Sequence, residues 1–229
     1  MQNVWLLWSL GYLLIWTILF AVRRDLRKEM LWISVWTVPL GLTEVLFVPD
    51  YWHPPSIFDL ANQTGFDIES LVFAFAIGGI GSVLYNLIYR VKLLSFSKHE
   101  MREHRHRWHR FILLTPPVAF IALSLLTNLN HIYCAVIAMF LGSLATLYCR
   151  PDLKIKIWIG GALFLAIYFA FFLSLIMIFP DFVEITWNLS ALSGIFVLGI
   201  PIEELLFAFT FGTLWSSLYE HFFWIKIYR

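Results

Sequence analysis

The chain has 229 residues, of which 60% are hydrophobic, 18% aromatic and only 14% charged, with a formal net charge of +1. A soluble domain of this length cannot hide so much apolar surface, so the bilayer is expected to be the solvent for most of it. The near-neutral charge carries no nucleic-acid signature, the two cysteines make no zinc motif, and no glycine-rich loop offers a nucleotide cradle.

Seven stretches are long enough to cross a hydrocarbon core of ~30 Å as helices of ~20 residues. They lie near 3–22, 30–48, 68–89, 111–128, 131–149, 156–179 and 198–220. None alternates apolar and polar residues, so a β-barrel is not supported. The first lacks a basic leader and is followed by Arg23–Arg24, the flank of a stop-transfer span rather than of a signal peptide. The second, "LGLTEVLFVPD", carries Glu44 near its outer end, either as part of a buried site or as an interfacial acid turned outward. In the loop that follows, Asp59 and Asp67 read as loop or cap residues, and Glu69 opens the third stretch.

Between the third and fourth stretches lies "KHEMREHRHRWHR", with His99, His104, His106 and His109. A membrane di-iron centre needs several such clusters, whereas His53, His131 and His221 are scattered. The run therefore reads as a solvated basic loop touching headgroups, and no metal ligand is assigned. Cys134 and Cys149 lie ~22 Å apart along one helix at 1.5 Å per residue and cannot pair. No lysine lies in the interior of a stretch, which excludes a retinal Schiff base.

With these spans all 16 Lys and Arg fall on one side, and the loops near 49–67, 129–131 and 180–197 have none. By the positive-inside rule the N-terminus is outside and the C-terminus cytoplasmic, with the protein integral to the plasma membrane.

The last stretch begins "GIPIEELLFAF", with Glu203 and Glu204 adjacent. No Lys or Arg lies between Lys156 and Lys226 to neutralise them by sequence proximity. Acids inside a bilayer are costly and normally face a protein interior. Pro201 and the two acids also suit a helix start favoured by the helix dipole, the bland alternative. The motif has an echo. Phe66–Asn86 aligns without gaps on Ile200–Glu220 with 10 of 21 positions identical, pairing Glu69 with Glu203 and Tyr85 with Tyr219. "RRDLRKEMLWI" and "CRPDLKIKIWI" form a second echo, and Pro49–Asp50 with Pro180–Asp181, followed by Trp52 and Trp187, a third. The expected fold is an all-α polytopic membrane protein of seven transmembrane helices. Two parallel three-helix repeats, 1–92 and 131–229, are joined by 93–130, the basic loop and linking helix.

"GIPIEELLFAF", its partner "GFDIESLVFAF" and the Arg-x-Asp-Leu-type loops resemble the membrane lycopene cyclase domain family, the flavin-independent carotenoid cyclases built from two three-helix modules. The resemblance covers essentially the whole chain. It implies cyclisation of the ψ ends of lycopene to β-ionone rings, a redox-neutral isomerisation needing no cofactor. It further implies that Glu203 or Glu204 protonates the terminal double bond and that the other stabilises the cation or takes the final proton. Glu69 would support them across the repeat. Glu44, Phe73, Phe207 and Trp215 are the candidate substrate-binding residues. One departure is that Ser70 stands where the second module has Glu204.

The alternatives are a carotenoid or prenyl-lipid binder without catalysis, and a small transporter of three plus one plus three helices. The expected partners are an apolar polyene and membrane lipid, with a second copy or a carotenoid-pathway enzyme as macromolecular candidates and no nucleic acid.

Overall fold

The computed structural model describes residues 3–89 and 91–228. Its described residues are all-helical in class, 76% of them helical when ten α-helices and the short 3-10 turns are taken together. In chain order these are α1 (Val4–Val22), α2 (Arg27–Gly41), α3 (Leu60–Thr64), α4 (Ile68–Tyr89) and α5 (His109–Leu113). There follow α6 (Thr115–Leu126), α7 (His131–Cys149), α8 (Lys154–Ile178), α9 (Phe182–Thr186) and α10 (Ile202–Phe222). Two short antiparallel pairs complete the chain: β1 (Lys92–Ser95) with β4 (Ile225–Tyr228), and β2 (Phe196–Val197) with β3 (Ile200–Pro201). Among the described residues four segments, Val4–Val22, Ile68–Tyr89, His131–Cys149 and Pro151–Ile178, are long and apolar enough to cross a membrane.

Three expected helices differ from the sequence reading, each for a local reason. The stretch 30–48 becomes α2 to Gly41 and then a 3-10 turn to Leu46. A Cβ on Gly41 would stand 2.9 Å from the Ser70 carbonyl oxygen, so α2 ends where it touches backbone. The stretch 111–128 is broken between α5 and α6 because Pro116 and Pro117 can open a helix but cannot continue one. The first four residues of 198–220 are not helical. Leu198 and Gly199 both have positive φ (51° and 83°), the requirement of a tight two-residue turn, and this folds β2 onto β3.

The chain divides into two compact units. The first holds Met1–Ile80, Asn130–Ile132 and Ala166–Leu205. It buries aromatic rings of α1 and α8, including Tyr12, Phe172 and Tyr168, and Trp16 Nε1 donates to Ser34 Oγ at 2.9 Å.

The second unit holds Gly81–Leu129, Tyr133–Leu165 and Leu206–Arg229. In it α8 and α10 meet through small residues. A Cβ on Gly212 would lie 3.0 Å from the Gly160 carbonyl oxygen and 2.6 Å from Phe164 Cβ. Such close backbone approach is how membrane helices gain dispersion energy where no hydrophobic effect drives them together.

Two cations near the start of α8, Arg150 and Lys156, are buried. The Arg150 guanidinium binds Asp152 through two bonds of 2.8 and 2.7 Å and donates to the carbonyls of Glu220 (2.9 Å) and Ile225 (2.6 Å). Lys156 pairs with Glu220, both side chains being essentially inaccessible. Pairing with an opposite charge and hydrogen bonding of this kind are what make a buried charge tolerable.

The basic run departs from its expected solvation. His99 and His104 are exposed, but His106 and His109 are buried. They sit three residues apart, so a helical turn puts them on one face while the intervening Arg107 and Trp108 point away.

Candidate functional site

The hairpin β2–β3 delivers the chain into α10, whose first turn carries Glu203 and Glu204, respectively 1% and 5% exposed. Adjacent helical residues diverge by about 100°, and the two carboxyls take different partners. Glu204 is a hub. Its Oε1 accepts from the Tyr51 hydroxyl and from Trp187 Nε1 at 2.9 Å, and its Oε2 accepts from the Tyr168 hydroxyl. These donors come from three places: the turn after α2, the C-cap of α9, and the middle of α8. Hydrogen bonds to a carboxylate are among the strongest in proteins and offset its desolvation. Burial and the neighbouring Glu204 push the Tyr51 phenol well above its ordinary range, so it stays a donor. Glu203 Oε1 accepts from the backbone N–H of Ser193 at 2.8 Å.

A second acidic group surrounds the start of α4. Asp67 Oδ1 accepts from the Ser70 N–H at 2.5 Å and so caps the helix, as the sequence suggested. Burial pushes the Asp67 carboxyl above its ordinary range against the pull of its bonds to Ser70. Glu44, buried rather than turned outward, accepts from the Asp67 N–H at 3.3 Å. Glu69 Oε1 accepts from the Ile57 N–H at 2.8 Å. Ser70 Oγ accepts from Trp5 Nε1 at 3.3 Å.

Aromatic rings join the two groups in a closed circuit. Trp5 meets Trp52 edge-on at 4.8 Å, Trp52 meets Trp187 at 5.5 Å, and Trp187 meets Phe172 at 5.5 Å. Phe172 leads to Tyr168 (5.9 Å), Tyr12 (6.4 Å) and Phe73 (5.3 Å), and Phe73 returns to Trp5 at 5.0 Å. Trp52 and Trp187 are also bridged through their backbones. Circuit members hydrogen-bond the acid Glu204 at one side and Ser70 at the other.

Glu44, Glu69, Glu203, Glu204 and Phe73 thus belong to the first unit. Phe207 and Trp215 belong to the second, where Phe211 stacks on Trp215 at 4.1 Å and meets Phe207 at a tilt, 5.6 Å between ring centres. Sequence reasoning missed Tyr51, Tyr168 and Trp187 as partners of Glu204. Trp187 did carry a signal, since it occupies the third echo opposite Trp52.

Residues 130–222 match the family model for lycopene cyclase. That segment, less than half of the chain, is similar to the lycopene cyclase family. Comparison with curated proteins and with solved structures returned no match. The matched segment contains Glu203, Glu204, Tyr168 and Trp187, while Tyr51, Glu44 and Glu69 come from outside the matched residues. The hub of the site is therefore completed by a hydroxyl that the matched segment lacks.

Proposed function

We propose that this protein closes the acyclic ψ ends of lycopene into β-ionone rings by proton-initiated cyclisation, using Glu203 and Glu204. The observation that carries the reading is Glu204 itself, a buried carboxyl in the lycopene cyclase segment with three side-chain donors converging on it. One carboxyl protonates the terminal double bond of the substrate and leaves a tertiary cation. An internal double bond attacks that carbon, a six-membered ring closes, and the charge moves to the ring carbon two bonds away. Loss of the neighbouring proton to a carboxylate restores an alkene. Protons in and out balance, and no electron is transferred. Aromatic faces stabilise cations by ~0.5–2 kcal/mol each, more when water is excluded, so the ring circuit beside Glu204 suits the charged intermediate. The substrate and lipid are the partners this reading requires.

In the same proposal the seven apolar stretches all span the plasma membrane, with the N-terminus outside, as two parallel three-helix modules and a linking helix. The matched use of Glu69 and Glu203, each accepting one backbone N–H from a preceding loop at 2.8 Å, supports the duplication.

The test is expression in bacteria that accumulate lycopene, with pigments separated by chromatography. Conversion to γ- or β-carotene is expected, and its loss in Glu204→Gln. Glu203→Gln keeps an oxygen for the Ser193 N–H but cannot deliver a proton, so it separates acid from loop anchor when set beside Glu203→Leu. Lycopene left unchanged by folded, membrane-inserted protein would overturn the assignment and favour a binder.

A further inference from the structure

We propose that His106, His109 and Cys149 form a zinc site that clips the basic segment to the end of α7. The three side chains are buried and their ligand atoms lie within 4.8 Å of one another. His106 Nδ1 is 3.3 Å from Cys149 Sγ and His109 Nδ1 is 3.4 Å from it. A tetrahedral zinc ion with its usual bond lengths holds a sulfur and a nitrogen ligand about 3.5 Å apart. Both sulfur–nitrogen edges match that spacing, and the third edge, between the two imidazole nitrogens, lies within 4.8 Å and would close to about 3.4 Å around the ion.

A second observation points the same way. The Nε2 atoms of His106, His109 and His221 are buried without a hydrogen-bond partner among the described residues. No hydrogen bond at Nε2 from the described fold holds these rings in place. What their nitrogens share is the sulfur. Ring packing orders them instead: His109 stacks on Trp224 at 3.7 Å, and His106 meets Phe96 edge-on at 5.6 Å. His221, bonded through Nδ1 to Thr146, closes the group with its ring 4.4 Å from His109.

The donor set of two imidazoles and one thiolate selects a borderline divalent ion over magnesium or calcium, and among abundant ions it favours zinc. The neighbouring Arg150 does not oppose the ion with a bare charge, because Asp152 neutralises it through two bonds. Three protein ligands leave the fourth position for water. The ligands are 43 and 40 residues apart in sequence, so the ion closes a long loop, and its binding energy becomes folding energy for this unit. This inference is independent of the cyclase reading.

The test uses the full chain purified in detergent through a histidine-free tag. Zinc content is measured, and cobalt(II) is titrated into the chelated protein. One ion per chain is expected, with the intense visible bands of tetrahedral cobalt and a thiolate-to-metal charge-transfer band. Cys149→Ser should remove the charge-transfer band, and His106→Gln or His109→Gln the tetrahedral bands. Cys134→Ser and the exposed His104→Gln should retain both. Chelation should lower the melting temperature, and zinc should restore it. Wild-type protein that is folded yet shows no tetrahedral cobalt spectrum overturns the site, whatever the variants do. So does a charge-transfer band that survives Cys149→Ser.

Discussion

Replacing Tyr168 by Phe removes one donor from Glu204 and almost nothing else. The ring keeps its neighbours, Phe172 at 5.9 Å and Tyr12 at 6.4 Å, and only the hydroxyl bonded to Oε2 is lost. Oε1 retains Tyr51 and Trp187, so the carboxyl stays anchored on one side and free to swing on the other. A hydrogen bond to a charged group contributes about 1.5–3 kcal/mol. If the bond is needed at full strength in the transition state, cyclisation slows about 10- to 150-fold. Tyr51→Phe should cost a similar factor. The double variant should cost less than the product of the two, because both act through one carboxyl. The assay is the initial rate of lycopene loss in membranes at matched protein level, with melting temperature as the control for folding. Wild-type turnover by folded Tyr168→Phe would sink the idea that the hub sets the geometry of proton transfer. Equal loss from rate and from melting temperature would assign the hydroxyl to the fold alone.

The remaining predictions concern the second unit. Lys156→Met or Glu220→Leu alone leaves a buried charge without its partner and should destabilise by about 3–5 kcal/mol. The double variant should recover most of that loss, and a double-mutant cycle by denaturant unfolding in micelles reads the coupling; additive losses would refute it. At the β1–β4 pair, Lys226 and the Ser97 hydrogen bonds lower Glu100 from 4.5 to about 2. A carboxyl depressed by folding contributes stability above its unfolded value and loses it as pH falls through the folded one. Amide-exchange protection of Leu94 and Lys226 should therefore hold above pH 4.5 and decline toward pH 2, and high salt should weaken it. A protection profile flat across that window would refute the linkage.

Hydropathy located α1, α4 and α7 almost to the residue, because in each an apolar run is bounded by polar or charged positions. It failed wherever backbone torsion rather than solvent decides. The Leu198–Gly199 turn lies inside an apolar run, so only the glycine hinted that the chain reverses before α10. The paired prolines explain the break before α6, yet a hydropathy window passes over them. At the site, the acids were visible because a carboxylate in an apolar run is conspicuous. Their donors were not, because Tyr51 and Tyr168 are 153 and 36 residues away from Glu204, and tyrosines are ordinary in membrane helices. The histidine run misled for a related reason. Its arginines made it look uniformly solvated, while the three-residue spacing of His106 and His109 held the signal that one face was buried.

The aligned helix starts differ at one functional position, and the geometry says what that difference does. Glu69 and Glu203 each hold a preceding loop by accepting a backbone N–H, from Ile57 and from Ser193. That is a job of shape, and both helix starts keep it. At the next position Ser70 and Glu204 each receive an indole N–H, from Trp5 and from Trp187. The indole contact is thus common to both, but the short serine side chain otherwise meets the neighbouring carboxyls of Glu44 and Asp67. The carboxyl of Glu204 reaches further and gathers two tyrosine hydroxyls. Loop anchoring therefore explains why the first acid occurs in both places, and it cannot explain the second. What distinguishes Glu204 is the converging set of donors, which is why the proposed cyclisation centres on that residue rather than on the more visible duplicated glutamate.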